Sequence, residues 1–130
     1  MIYDTNLLIV HVRRKELPPI KTLLSTITIG ELEAFALKSD WGIQKVDFML
    51  DMIARYPSVD VTRGLVRHYA EIDAFSQGKL KTAPLKLSAR NMGKNDIWIA
   101  ATALYLDMEL HTTDNDFDHL TALGLRLVKH

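Results

Sequence analysis

The stretch Lys94-Asn95-Asp96-Ile97-Trp98-Ile99-Ala100-Ala101-Thr102-Ala103-Leu104 reads as an alanine-rich helix carrying an acid in its first turn. Ile97, Ala100, Ala101 and Leu104 recur at helical spacing, so this face packs inward, held against a sheet. Asn95 is the expected N-cap, which sets Asp96 at the positive end of the helix. By itself Asp96 needs no further explanation, because acids favour the first turn of any helix. Its company elsewhere in the chain decides whether it does more.

Downstream of that helix, Met108-Glu109-Leu110-His111-Thr112 predicts a strand, and Thr113-Asp114-Asn115-Asp116-Phe117 a turn rich in acids, although Asx residues are also plain turn formers. Leu125-Arg126-Leu127-Val128 predicts the last strand. Upstream, Lys79, Lys81, Lys86, Arg90 and Lys94 fall in a segment broken by Gly78, Pro84 and Gly93 and containing no acid between Asp73 and Asp96. Charge runs usually face only water, yet five cations placed just before the focal helix also suit a phosphate-facing patch.

The first half alternates in the same way. Met1 to Asp4 predicts a short buried strand, and Asp4-Thr5-Asn6 starts a helix through Leu7, Leu8, Val10 and Val12 that closes at Arg13-Arg14-Lys15-Glu16 before Pro18-Pro19. Leu23 to Thr28 predicts a second strand. Thr28-Ile29-Gly30-Glu31 fits a capping box, which puts a second carboxylate at a strand-to-helix corner. Trp41 to Tyr56 predicts an amphipathic helix with Ile43, Val46, Leu50 and Ile53 inward. Val59-Asp60-Val61 predicts a third strand, after which Thr62 caps a helix lined by Leu65, Tyr69, Ile72 and Phe75.

Composition narrows the chemistry. The 130 residues are 48% hydrophobic, enough for one compact domain to bury a core without disulfides or a structural metal. No run approaches the roughly 18 apolar residues of a membrane span and no basic leader precedes the first strand, so a soluble, cytoplasmic chain is expected. There is no cysteine, which excludes thiolate zinc sites and cysteine nucleophiles. Sixteen basic and sixteen acidic residues cancel, so any attraction to nucleic acid must be local. His11, His68, His111, His119 and His130 are scattered without zinc spacing, and surface or packing roles are expected of them. Phosphate-cradling and dinucleotide glycine motifs are absent.

Short apolar strands alternating with amphipathic helices imply an α/β domain with a mostly parallel sheet and helices on both faces. In such a sheet the strand-to-helix corners share one edge, where ligands bind. Asp4, Glu31 and Asp114 each follow a strand, and Asp96 opens a helix. Carboxylates gathered on one rim repel one another unless a cation sits among them. Oxygen-only ligands suit Mg²⁺ or Mn²⁺, one ion or two roughly 4 Å apart, able to activate water toward a phosphodiester. Asp4, Asp96 and Asp114 are the expected direct ligands; Glu31 either binds metal or orients the attacking water. Lys86, Arg90 and Lys94 are the candidates for offsetting the acidic rim toward a substrate's phosphates.

Asp4-Thr5-Asn6, the Glu31 corner after Thr26-Ile27-Thr28, the Asn95-to-Ala101 helix and Thr113-Asp114-Asn115-Asp116-Phe117 resemble, in order, the four signature segments of PIN domains. The chain is most similar to the VapC-type toxin ribonucleases of toxin–antitoxin pairs, over essentially its whole length. That resemblance implies a three-layer α/β/α sandwich and a metal-binding quartet of Asp4, Glu31, Asp96 and Asp114. It also implies an assisting acid at Asp116 and supporting polar positions at Asn6 and Thr113. The implied activity is cleavage of single-stranded or structured RNA of the tRNA or ribosomal RNA class. The implied partners are a VapB-like antitoxin and a second copy in a homodimer. Two other readings use the same acids: a magnesium-dependent phosphatase or receiver with Asp4 as phosphoacceptor, and a non-catalytic module whose acidic pocket receives a partner's basic side chain.

Overall fold

The computed structural model describes residues 1–130. Five very short strands, β1 (Ile2–Tyr3), β2 (Leu24–Ser25), β3 (Ser58–Val59), β4 (Leu110–Thr112) and β5 (Leu127–Lys129), all pair in parallel. β4 lies between β1 and β5, β2 pairs with β3, and an Ile2–Leu23 bridge joins the two groups into the order 3-2-1-4-5. The helices are α1 (Thr5–Arg14), α2 (Thr26–Lys38), α3 (Ile43–Arg55), α4 (Val66–Ser76) and α5 (Lys94–Leu106), with 3-10 turns at Arg63–Leu65 and Asn115–Leu123.

Successive residues of β1 point to opposite faces of the sheet, as the two-residue period of a strand requires. Ile2 enters a core shared with Ile72, Phe75, Ile97, Ala101 and Phe117, under α4 and α5. Tyr3 enters a second core with Leu8, Leu24, Leu32, Met49 and Met52, under α1, α2 and α3. Both faces of a parallel sheet are thus covered, which gives the expected three-layer α/β/α sandwich. None of the helices is long and apolar enough to cross a membrane.

Four local expectations change. β2 is over by Ser25, whose hydroxyl caps α2 by accepting from the Ile27 N–H at 3.2 Å, so Thr28 and Glu31 lie inside the helix and form no capping box. Asn95 sits within the first turn of α5, and Gly93 takes the cap position. Thr62 precedes a 3-10 turn and makes no side-chain cap, so α4 starts only at Val66. On α3 the buried residues are Met49 and Met52, while Ile43 is 77% and Leu50 46% exposed. Apolar periodicity marks a helical face, and which edge of that face meets the core depends on the neighbour it packs against.

Candidate metal centre and substrate cleft

In the order 3-2-1-4-5 the chain runs to opposite sides of β1, so a crevice opens beyond the carboxyl ends of β1 and β4. Asp4 and Thr112 stand there. The Asp4 backbone N–H continues the ladder to His111 at 3.0 Å. Asp4 Oδ1 then caps α1 by accepting from the Leu7 N–H at 2.9 Å. Its Oδ2 accepts from the Thr112 hydroxyl, whose oxygen accepts in turn from the Asp114 N–H at 2.9 Å. Burial raises the Asp4 pKa, the two hydrogen bonds oppose that, and Asp114 and Glu31 add to it.

Asp114 accepts from the Asp116 N–H at 2.9 Å as the cap of the 3-10 helix. Lys129 of β5 holds that corner from behind, donating to the Asp114 carbonyl at 2.6 Å and to Asn115 Oδ1 at 2.8 Å. Further along, His119 packs the same helix onto α4, with its ring 2.7 Å from the Ser76 hydroxyl and stacked on Phe75. Burial lowers the His119 pKa, as expected of a packing histidine. His111 and His130 also meet, with ring nitrogens 2.8 Å apart, a pairing that nothing in their spacing announces.

One carboxylate oxygen from each of Asp96, Asp114 and Asp116 lies within 4.8 Å of the others. Asp4 and Glu31 line the cleft beside Asp96 without belonging to that tight group. Glu31 is oriented twice, accepting from the Thr5 hydroxyl at 2.6 Å on Oε1 and from the Asn95 amide at 3.2 Å on Oε2. The Asp96 carboxylate accepts none of the side-chain or backbone hydrogen bonds around it. Burial, followed by the charges of Glu31, Asp114, Asp4 and Asp116, pushes its pKa up to about 6. Hard oxygen donors gathered around a carboxylate that lacks a donor are the chemistry a divalent oxophilic cation fits.

The remaining expected residues divide. Asn6 is exposed and lines the cleft. Thr113 is exposed, and the supporting hydroxyl is that of its neighbour Thr112. Arg90 shares a smaller pocket with Ser88, Asn91 and Asp116 on the other side of the acids. Lys86 and Lys94 are exposed and line neither cleft. Lys38, in the last turn of α2, lines the main cleft and carried no signal in the sequence beyond an ordinary helix-terminal cation.

Two outcomes follow from this geometry. Thr112→Val removes the hydroxyl that joins Asp4 to Asp114, and a loss of about 1–3 kcal/mol of stability is expected from the stranded partners. A denaturant titration reads that loss, and an unchanged midpoint would mean that the hydroxyl supports neither acid. Asp96 binds its proton more tightly folded than unfolded, because its pKa rises from 3.8 to about 6. The stability this contributes to metal-free protein is therefore complete below about pH 4 and lost as pH rises through about 6, some 1–3 kcal/mol after allowing for partial exposure. Melting curves of the parent and of Asp96→Asn, recorded in chelator, should separate steadily over that interval; parallel curves would contradict the shift.

A family model for the PIN domain matches residues 1–123. Among solved structures, VapBC2 from Rickettsia felis, bound to a DNA fragment from its promoter, superposes with a TM-score of 0.74 at 20% identity, covering 100% of this chain and 99% of that one. VapBC-5 from Mycobacterium tuberculosis, a member of the VapBC family of toxin–antitoxin systems, gives 0.70 at 21% identity, covering 99% and 97%. VapBC-1 from nontypeable Haemophilus influenzae gives 0.66 at 25% identity, covering 99% and 98%. A search of the curated proteins finds no match.

Proposed function

Because the chain belongs to the PIN domain family, we propose that it is a VapC-type toxin, a divalent-metal-dependent endoribonuclease cutting single-stranded or structured RNA of the tRNA or ribosomal RNA class. The observation that carries this reading is the Asp96 carboxylate, without a hydrogen-bond donor and with its oxygen within 4.8 Å of those of Asp114 and Asp116. Asp96, Asp114 and Asp116 would hold the cation, with Asp4 completing the set from the end of β1. Mg²⁺ or Mn²⁺, as one ion or two, supplies charge neutralisation for a phosphodiester and a lowered water pKa.

The chain's own residues do the rest. Thr5 and Asn95 fix both oxygens of Glu31, which favours it as the group that orients the attacking water and takes its proton. Water oxygen then bonds to phosphorus as the bond to the leaving sugar oxygen breaks, and that oxygen takes a proton from solvent. Thr112 keeps Asp4 turned toward the cleft, and Lys129 keeps the Asp114 corner from shifting. Arg90 offsets the acidic rim on the Asp116 side, with Lys86 and Lys94 adding long-range attraction.

The 130 residues act as one domain in the cytoplasm, as a homodimer controlled by a VapB-like antitoxin. Support for protein partners comes from the VapBC assemblies that the fold resembles and from apolar side chains on α2 and α3, where Leu37 is 83% and Ile43 77% exposed. The test is incubation of the purified, partner-free chain with total RNA, with Mg²⁺ or Mn²⁺ and with chelator. Discrete fragments that vanish in chelator are expected. No cleavage with either metal, together with tight capture of a basic peptide, would replace this reading with the binding-module one.

A further inference from the structure

Gly30 stands inside α2, where a glycine weakens a helix relative to alanine. Nothing lies within 4 Å of the place a Cβ would occupy, and the positive-φ glycines are Gly78 and Gly124, so neither packing nor backbone conformation requires it. What the missing side chain preserves is space. Gly30 lines the cleft beside Glu31 and Asp96, which has a volume of about 580 Å³.

That cleft has a charge order along α2. Glu31, Ala34, Phe35 and Lys38 follow one another on one side of the helix, and seven residues at 1.5 Å rise put Lys38 about 10.5 Å beyond Glu31. The acids occupy one end with Ile27 behind them at the start of α2, Ala34 and Phe35 form an apolar middle, and Lys38 closes the other end. A single nucleic-acid strand alternates anionic phosphate with a flat, largely apolar nucleoside, which is the same alternation.

Resting on the nuclease reading above, we infer that this cleft is a nucleoside subsite. The reacting phosphate sits at the acids, the adjoining nucleoside lies over Gly30 and Ala34 against Phe35, and the next phosphate meets Lys38. An extended peptide from a protein partner is the competing occupant. It offers Lys38 no regularly spaced anion.

The experiment uses the full chain, a single-stranded RNA oligonucleotide, and the variants Gly30→Ala, Gly30→Leu and Lys38→Ala. Gly30→Leu should raise KM by about tenfold or more, as expected when a base loses its seat, while Mn²⁺ binding stays at the parental value. Gly30→Ala should melt above the parent because helix propensity improves, yet still raise KM by about threefold, so the loss cannot be ascribed to misfolding. Lys38→Ala should weaken binding alike for every sequence and lower the salt slope by about 0.7, the value for one phosphate on a single strand. Parental KM in Gly30→Leu, or impaired inhibition by a protein partner with unchanged cleavage, would overturn the subsite. A parent that cuts no RNA would instead remove the nuclease reading on which it stands, and the two failures are distinct.

Discussion

In Asp96→Asn, cleavage should fall about a thousandfold or more, the several kcal/mol that a held cation contributes at 1.36 kcal/mol per decade of rate. In the same variant the metal-free protein should melt higher than the parent above about pH 6. The two effects share one cause. Asp96 is half-buried, lacks a hydrogen-bond donor and is faced by Glu31, Asp114, Asp4 and Asp116, so its charge is unfavourable unless a cation offsets it. The amide has the same shape and no charge, which relieves the repulsion and withdraws a ligand. Side-by-side cleavage assays and melting curves read both. Cleavage that survives in the variant, or that survives chelator in the parent, would defeat the metal-centre reading altogether.

Asp4→Ala should lose comparable activity and move stability the other way. Asp4 is 3% exposed and both its oxygens are engaged, one by the Leu7 N–H at the start of α1 and one by the buried Thr112 hydroxyl. Removing the carboxylate takes away a helix cap worth about 1 kcal/mol and strands a buried hydroxyl at about 1–3 kcal/mol; relief of charge repulsion offsets part, leaving a net loss of about 2 kcal/mol. Asp4→Asn separates the roles, because its amide oxygen still caps α1. It should recover most of the stability and none of the cleavage. Equal melting of Asp4→Ala and the parent would show that the residue serves the site alone. Asp96 and Asp4 thus look alike in the sequence, each an acid beside a helix start, and differ only in whether the surroundings satisfy them.

That difference marks where legibility ends. The apolar runs at Ile2–Tyr3, Leu24 and Leu110 and the helical stripe Ile97, Ala100, Ala101 were readable because burial leaves a period in the chain. The sequence placed the acids on one rim because parallel topology puts every strand's carboxyl end on the same edge. Local hydrogen-bond bookkeeping was less legible. Thr28 and Ser25 are equally good caps on paper, and β2 ends early enough to make Ser25 the cap that is used. Thr113 and Thr112 are likewise adjacent and chemically identical, and the two-residue alternation of β4 turns only Thr112 toward Asp4.

The sequence by itself therefore determined the α/β class, the parallel sheet and which carboxylates reach the same edge, since these follow from periodicity and chain connectivity. Only the tertiary structure decided that Asp116 joins Asp96 and Asp114 in the tight group, that Glu31 is held by Thr5 and Asn95, and that Lys38 faces the cleft. Each of these depends on the angle at which one element meets another far away in the chain. Such angles are set by packing volumes and hydrogen bonds summed over the whole core, and no short stretch of residues encodes them.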